Sequence, residues 1–204
     1  MRKLLSLALI LMMLCPAFAL AEEEVEMTLY VGDTFSLSYP TNWTLIDAKI
    51  ADRLMSVGAQ AINDPAMTAM AEQAKKAGMT FFMSEDGTVI NVLFMQDPSL
   101  AFFTPELLLT LYAPMMKMQL AAQYENAAVG EAALVTLGDN EFLVIEMFYS
   151  SNGIKMAINC YFLLANGGMY TLGLAFPTQD ADIIATRSVE AMAILSTFTP
   201  TAAE

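Results

Sequence analysis

Four apolar segments in the second half of the chain are separated only by short turns, and this constrains the fold more than anything else in the sequence. Ala133 to Leu137 is followed by Gly138-Asp139-Asn140, and Glu141 to Tyr149 by Ser151-Asn152-Gly153. Ile154 to Leu164 runs to Asn166-Gly167-Gly168, and Met169 to Phe176 follows. Asn-Gly and Gly-Gly between apolar runs are hairpin signals, because their central residues accept positive φ. Turns of two to four residues leave no room for a crossover helix, so neighbouring strands must be antiparallel. The spacing predicts a meander of four strands.

The first half mixes strands and helices. Phe35, Leu37 and Tyr39 alternate with Ser36 and Ser38, the pattern of a half-buried strand opened by the turn Gly32-Asp33. Pro40-Thr41-Asn42 ends it, and Trp43 begins another short apolar piece, where a large ring serves as a core plug. Asn42-Trp43-Thr44 is also a glycosylation sequon. Residues 49–63 place Ile50, Leu54, Val57 and Ala61 at helical spacing, weakened by Gly58. Residues 65–77 predict a helix capped by Asp64, with Pro65 first, Lys75 and Lys76 in its last turn, and Gly78 after it. Met79 to Gln96 reads as a hairpin around Glu85-Asp86-Gly87. Thr104-Pro105-Glu106 opens another helix, with Leu108, Leu111, Met115 and Met118 as its packing stripe. Pro114 must kink or divide that helix near Thr110. A last helix from about Asp180 sets Ile184, Ser188, Ala191 and Leu195 on one face. The order of elements, without strand–helix–strand alternation, is that of an α+β domain.

The opening residues carry an address. Arg2 and Lys3 precede the apolar run Leu4 to Leu14, and Ala17-Phe18-Ala19 and Ala19-Leu20-Ala21 supply small-x-small sites. This is the form of a secretory signal peptide over 1–21, and the run is short for a bilayer anchor. Leu14 stands where a lipoprotein signal has a small residue, so Cys15 is not read as a lipid attachment site. Cleavage after Ala21 leaves no membrane span and makes the protein secreted or extracytoplasmic. It also removes Cys15, leaving Cys160 without a disulfide partner; counting by twos puts Cys160 on a buried strand face with Ile154, Met156 and Ile158. Residues 22–26, with four carboxylates, form a solvated acidic tail before a single domain at 27–200.

The motif Phe35-Ser36-Leu37-x-Tyr39-Pro40-x-x-Trp43 resembles the opening of the PsbP-like family, and Ile194-Leu195-Ser196-Thr197-Phe198 is similar to that family's closing helix-to-strand signature. The family includes a photosystem II extrinsic subunit, a Ran-binding nuclear transport factor and many secreted bacterial proteins of unknown function. The resemblance implies an antiparallel β-sheet flanked by helices in an α/β/α sandwich. It implies accessory or binding roles and no shared catalytic residues. The helical region before Met79 is longer than the resemblance leads one to expect.

Composition narrows the chemistry. The 204 residues include no histidine, which removes Ser-His and Cys-His dyads and the commonest metal ligand. Nine basic against 22 acidic residues, net −13, argue against a nucleic-acid partner. There is no Gly-x-Ser-x-Gly elbow, no phosphate loop and no Asp-x-Asp-x-Asp-Gly calcium loop. Among the carboxylates, Glu85-Asp86 lies in a turn, Glu141 and Glu146 point to opposite sides of one strand, and Asp180 and Asp182 start a helix, so no glycosidase-like pair stands out. Seventeen methionines are the unusual count, densest at Met115-Met116-Lys117-Met118, with Met67, Met70, Met79 and Met83 upstream. Such residues serve as core or adaptable apolar surface, and Cu(I) handling is the alternative. The expectation is a non-catalytic binding domain without a cofactor, recognising an extracytoplasmic protein or a small apolar ligand through the sheet's open face or the Met-rich helices. No catalytic, cofactor-binding or metal-ligating residue is assigned. A carboxylate-dependent hydrolase is the remaining alternative.

Overall fold

The computed structural model describes residues 25–56, 65–124, 126–151 and 153–201. The leader at 1–21, Cys15, the first residues of the acidic tail, Val57, Gly58 and Ala61 of the stretch at helical spacing, the Asp64 cap and Asn152 of the second meander turn lie outside them. Val25 and Glu26, at the end of that tail, are exposed.

The expected meander is present and longer at every strand. β6 (Ala128–Leu137), β7 (Asn140–Ser151), β8 (Ile154–Ala165) and β9 (Gly168–Phe176) pair in sequence, all antiparallel. β6 starts at Ala128, five residues before Ala133, and a bulge between Val129 and Ala132 interrupts the alternation that would otherwise mark this part as strand. The predicted hairpin forms β4 (Thr80–Met83) and β5 (Val89–Gln96); β5 docks on β9, and β3 (Thr44–Ile46) docks on β4. The result is a seven-stranded sheet in the order β3-β4-β5-β9-β8-β7-β6. A second sheet holds β1 (Met27–Val31), β2 (Phe35–Pro40) and β10 (Thr199–Pro200), in the order β1-β2-β10.

Successive residues of each large-sheet strand point to opposite faces, and each face has its own cover. Phe82, Ile90, Phe142, Tyr161, Tyr170, Leu172 and Phe176 point towards the small sheet and the last helix, α4 (Ala181–Leu195). Phe35, Leu37 and Tyr39 of β2, Ala191, Ile194 and Leu195 of α4, and Phe198 complete that core. Trp43 is the expected plug, 7% exposed. One outer layer of the sandwich is therefore part helix and part sheet.

The opposite face is covered by two separate helical units. α1 (Ala48–Ser56) and α2 (Pro65–Ala77) pack Ala51, Ala71 and Ala74 on Ile46 and Phe81. Helix formation at 49–63 was weakly signalled; α1 is nucleated by Asp47, whose Oδ1 accepts from the Ile50 N–H at 2.7 Å. Asp52 and Lys75 join the two helices at 2.8 Å. The other unit is α3, which runs from Pro105 to Gln123 and is fastened by Lys117 to Glu131 at 3.0 Å.

The ends of the meander are locked by close approach. Gly138 sits at φ 58°, and a Cβ there would clash with the Ser196 carbonyl oxygen. Asn140 Nδ2 donates to the Phe198 carbonyl at 2.7 Å beside it. Any larger residue at 138 separates the β6–β7 turn from the end of α4.

Candidate recognition surface

Pro114 divides α3, as the sequence requires, but by a route the sequence did not show. Pro105–Leu107 is α-helical and capped by Thr104, whose Oγ1 accepts from the Leu107 N–H at 3.4 Å. Leu108–Tyr112 is a π turn, in which the Ala113 N–H reaches back to the Leu108 carbonyl. The α-helix resumes at Ala113–Gln123 with Pro114 in its first turn, where a missing N–H costs nothing. The wide turn holds one extra residue and rotates everything after it.

That rotation corrects the packing stripe. Leu108 remains inward at 1% exposure, but the next fully buried residue is Ala113, five positions on, also at 1%, with Leu109 and Tyr112 half-buried between them. Met116 and Leu120 continue the inward line against the core that includes Leu143, Ile145 and Phe162. Leu111, Met115 and Met118, expected inside, are 59%, 49% and 68% exposed. Leu107 adds a fourth outward apolar side chain, and Phe102 in the preceding 3-10 turn (Pro98–Phe102) is exposed as well. Lys117 is the one charged residue between Leu107 and Gln123, and Glu131 holds it. Beyond Glu106 in its first turn, the outer face of α3 is thus rich in apolar side chains and free of unpaired charge.

The remaining methionines do not join it. Met67, Met70 and Met79 are half-buried around Ala71 and Ala74, on the unit formed by α1 and α2. Met83 ends β4. Met115 and Met118 are the exposed thioethers of the α3 face.

Cys160 packs against the core beneath α3, and burial pushes its thiol up to about 11. Of the residues grouped with it by counting twos, Met156 and Ile158 are half-buried, whereas Ile154, the first residue of β8, is 54% exposed. The Tyr124 and Tyr149 rings meet at 4.4 Å and fasten the end of α3 to β7. Burial raises the pKa of the Tyr124 hydroxyl, helped by Tyr149 and Cys160 nearby.

The carboxylates are dispersed and largely engaged. Asp86 pairs with Arg187 Nε at 2.9 Å and accepts from Ser84 Oγ and the Thr88 N–H. Asp180 caps α4 by accepting from Asp182 and Ile183 N–H groups at 3.0 and 3.2 Å. Glu141 and Glu146 lie exposed on opposite faces of β7. Among the described residues no group of three or more Asp, Glu or Cys is placed to hold a metal.

A cleft of about 200 Å³ opens between the β1–β2 turn and the start of α1, lined by Tyr30, Asp33, Asp47, Lys49, Thr80 and Phe94. Burial, opposed by a hydrogen bond with Thr80, keeps the Tyr30 hydroxyl protonated above its ordinary pKa, and Asp47 and Asp33 add to the rise. Asp47 is already committed to capping α1.

No family model matches the sequence, and no curated protein matches it. Solved structures do. Cyanobacterial PsbP (CyanoP) from Synechocystis sp. PCC 6803 aligns over 92% of this chain and 97% of its own, at 14% identity and a TM-score of 0.52. LpqN of Mycobacterium tuberculosis, involved in cell envelope biogenesis, aligns over 91% of this chain and 99% of its own, at 16% identity and a TM-score of 0.45. The likeness to CyanoP shows a PsbP-like fold, the α+β architecture that the motifs at Phe35–Trp43 and Ile194–Phe198 implied.

Proposed function

We propose that this PsbP-like chain is a non-catalytic accessory domain acting outside the cytoplasm, and that it docks another protein on the outer face of α3. The carrying observation is the exposure of Leu111, Met115 and Met118 on a helix whose lysine is already paired. On a chain of net −13, an apolar face without free charge is set apart from the rest of the surface. Centres of protein interfaces are depleted of charge and enriched in Met, whose flexible thioether repacks against varied partners. The leader-like residues 1–21 support the extracytoplasmic reading, and among the described residues no helix is long and apolar enough to cross a membrane.

A photo-crosslinking amino acid at Met115 or Met118, with Thr186 on α4 as the exposed control, tests this in the source cells. The expected result is one discrete adduct from both α3 positions and none from the control. Equal labelling at all three positions, or none, overturns it. Cu(I) handling is the competing use of these thioethers. A competitive titration with a Cu(I) chelator decides it, since metal retained by the wild type and lost on Met115→Leu with Met118→Leu would replace docking with metal binding.

A further inference from the structure

The small sheet has an open edge. β10 closes one side of β2, and β1 lies on the other with no strand beyond it among the described residues. The register determines which backbone groups face that edge. The Gly32 N–H donates to the Phe35 carbonyl at 2.9 Å, and the Thr41 N–H donates to the Glu26 carbonyl at 2.8 Å. In an antiparallel ladder, hydrogen-bonded pairs alternate with pairs not so bonded. Gly32 and Glu26 therefore set the phase, and Thr28 and Tyr30 between them direct their N–H and C=O groups to β2. Met27, Leu29 and Val31 direct theirs outward. The same three residues turn their side chains to solvent, at 43%, 62% and 69% exposure.

Edge strands are ordinarily protected by a lysine, a proline or a bulge. β1, Met27-Thr28-Leu29-Tyr30-Val31, has none of these and no charge. Two exposed acids bracket it, Glu26 before and Asp33 after.

We propose that β1 accepts an extended segment of another protein by strand addition. The outward N–H and C=O groups of Met27, Leu29 and Val31 supply main-chain hydrogen bonds, and their side chains meet alternate apolar residues of the guest. Glu26 and Asp33 select a guest with Lys or Arg on each side of its apolar stretch. A second copy of this chain does not fit. Two β1 strands paired about Leu29 would set Glu26 of one opposite Gly32 of the other, one residue from its Asp33, so acids would crowd both ends of a pairing between chains each of net −13.

The test uses the purified protein and a peptide, Lys-Lys-Val-Thr-Val-Thr-Val-Lys-Lys, with a comparison peptide carrying Glu for every Lys. Residue-resolved hydrogen exchange reads the result. The expected outcome is at least tenfold slowing at the Met27, Leu29 and Val31 amides, with Thr28 and Tyr30 unchanged. The Glu-flanked peptide should bind at least tenfold more weakly. Leu29→Pro should abolish binding, because it deletes an outward donor and leaves the β1–β2 ladder intact. Should that variant fail to fold, N-methylation of the peptide at its edge-facing residues blocks the same bonds with the wild-type protein. Absence of the alternating protection, or equal binding of the two peptides, overturns the proposal. So does a dimer of the protein alone that Leu29→Pro dissociates.

Discussion

Nine buried aromatic side chains fill the core between the seven-stranded sheet and the layer of β1, β2, β10 and α4, whereas the two clusters on the opposite face share only Phe81 and Phe162 among their buried residues. On the aromatic side the rings lock one another: Phe35 stacks on Phe198 at 5.4 Å, Tyr39 meets Phe82 at 4.9 Å, and Tyr170 meets Phe198 edge-on at 5.3 Å. Small and flexible residues hold the other side, with alanines under α2 and leucines and Met116 under α3. The contrast separates two tasks. Interlocked rings define one packing, while Met and Leu under an interrupted helix leave α3 an adaptable outer surface.

The sharpest way to break this comparison uses neighbours on β7 that face opposite sides. Phe142 and Leu143 are 0% and 1% exposed. Phe142→Ala should cost about 3–5 kcal/mol, measured by urea unfolding, because it opens a cavity within interlocked rings. Leu143→Ala should cost less, near the lower end of the roughly 2–5 kcal/mol range for such truncations, because Met116 and Leu120 can settle into the space. A Leu143 variant as damaging as the Phe142 variant would show both faces to be equally rigid.

A smaller effect sharpens the contrast at the join between the β4–β5 hairpin and α4. Burial alone would raise the pKa of Asp86, but hydrogen bonds from Ser84 and Thr88 and the charge of Arg187 overcome it and hold the carboxyl below its usual 3.8. The folded state thus binds this proton less readily than the unfolded chain. Its contribution to stability is present above pH 3.8 and lost as pH falls through the lower folded value. Asp86→Asn should remove that part of the acid dependence in melts between pH 2 and pH 5. At neutral pH it should cost under about 1 kcal/mol, the range of exposed ion pairs.

Much of the aromatic side was legible in the sequence. Phe35, Leu37 and Tyr39 announced their face by alternation, Trp43 its plug role, and the Gly- and Asn-containing turns the meander. The two-residue β10 is too short for periodicity to reveal, and β6 hid its start because the bulge breaks the count. On the other side, helical spacing put Leu111, Met115 and Met118 inside. One extra residue in the π turn sends them outward, and Pro114 pointed to a break without fixing the angle it would produce. The open edge of β1 was invisible for a different reason. Thr28 and Tyr30, which face inward, are less apolar than the exposed Met27, Leu29 and Val31, so alternation points to the wrong set as buried.

The contact between β2 and the residues after α4 has a consequence for how the molecule is made. The Ser38 N–H donates to Thr197 Oγ1 across 159 residues of chain, and Phe35 stacks on Phe198. A ribosome delivers the N-terminal half long before those partners exist. The aromatic core therefore cannot close during synthesis, and folding must wait for the far end of the domain. A chain that stays open until then remains threadable through a narrow translocation pore for nearly the whole time it is being made.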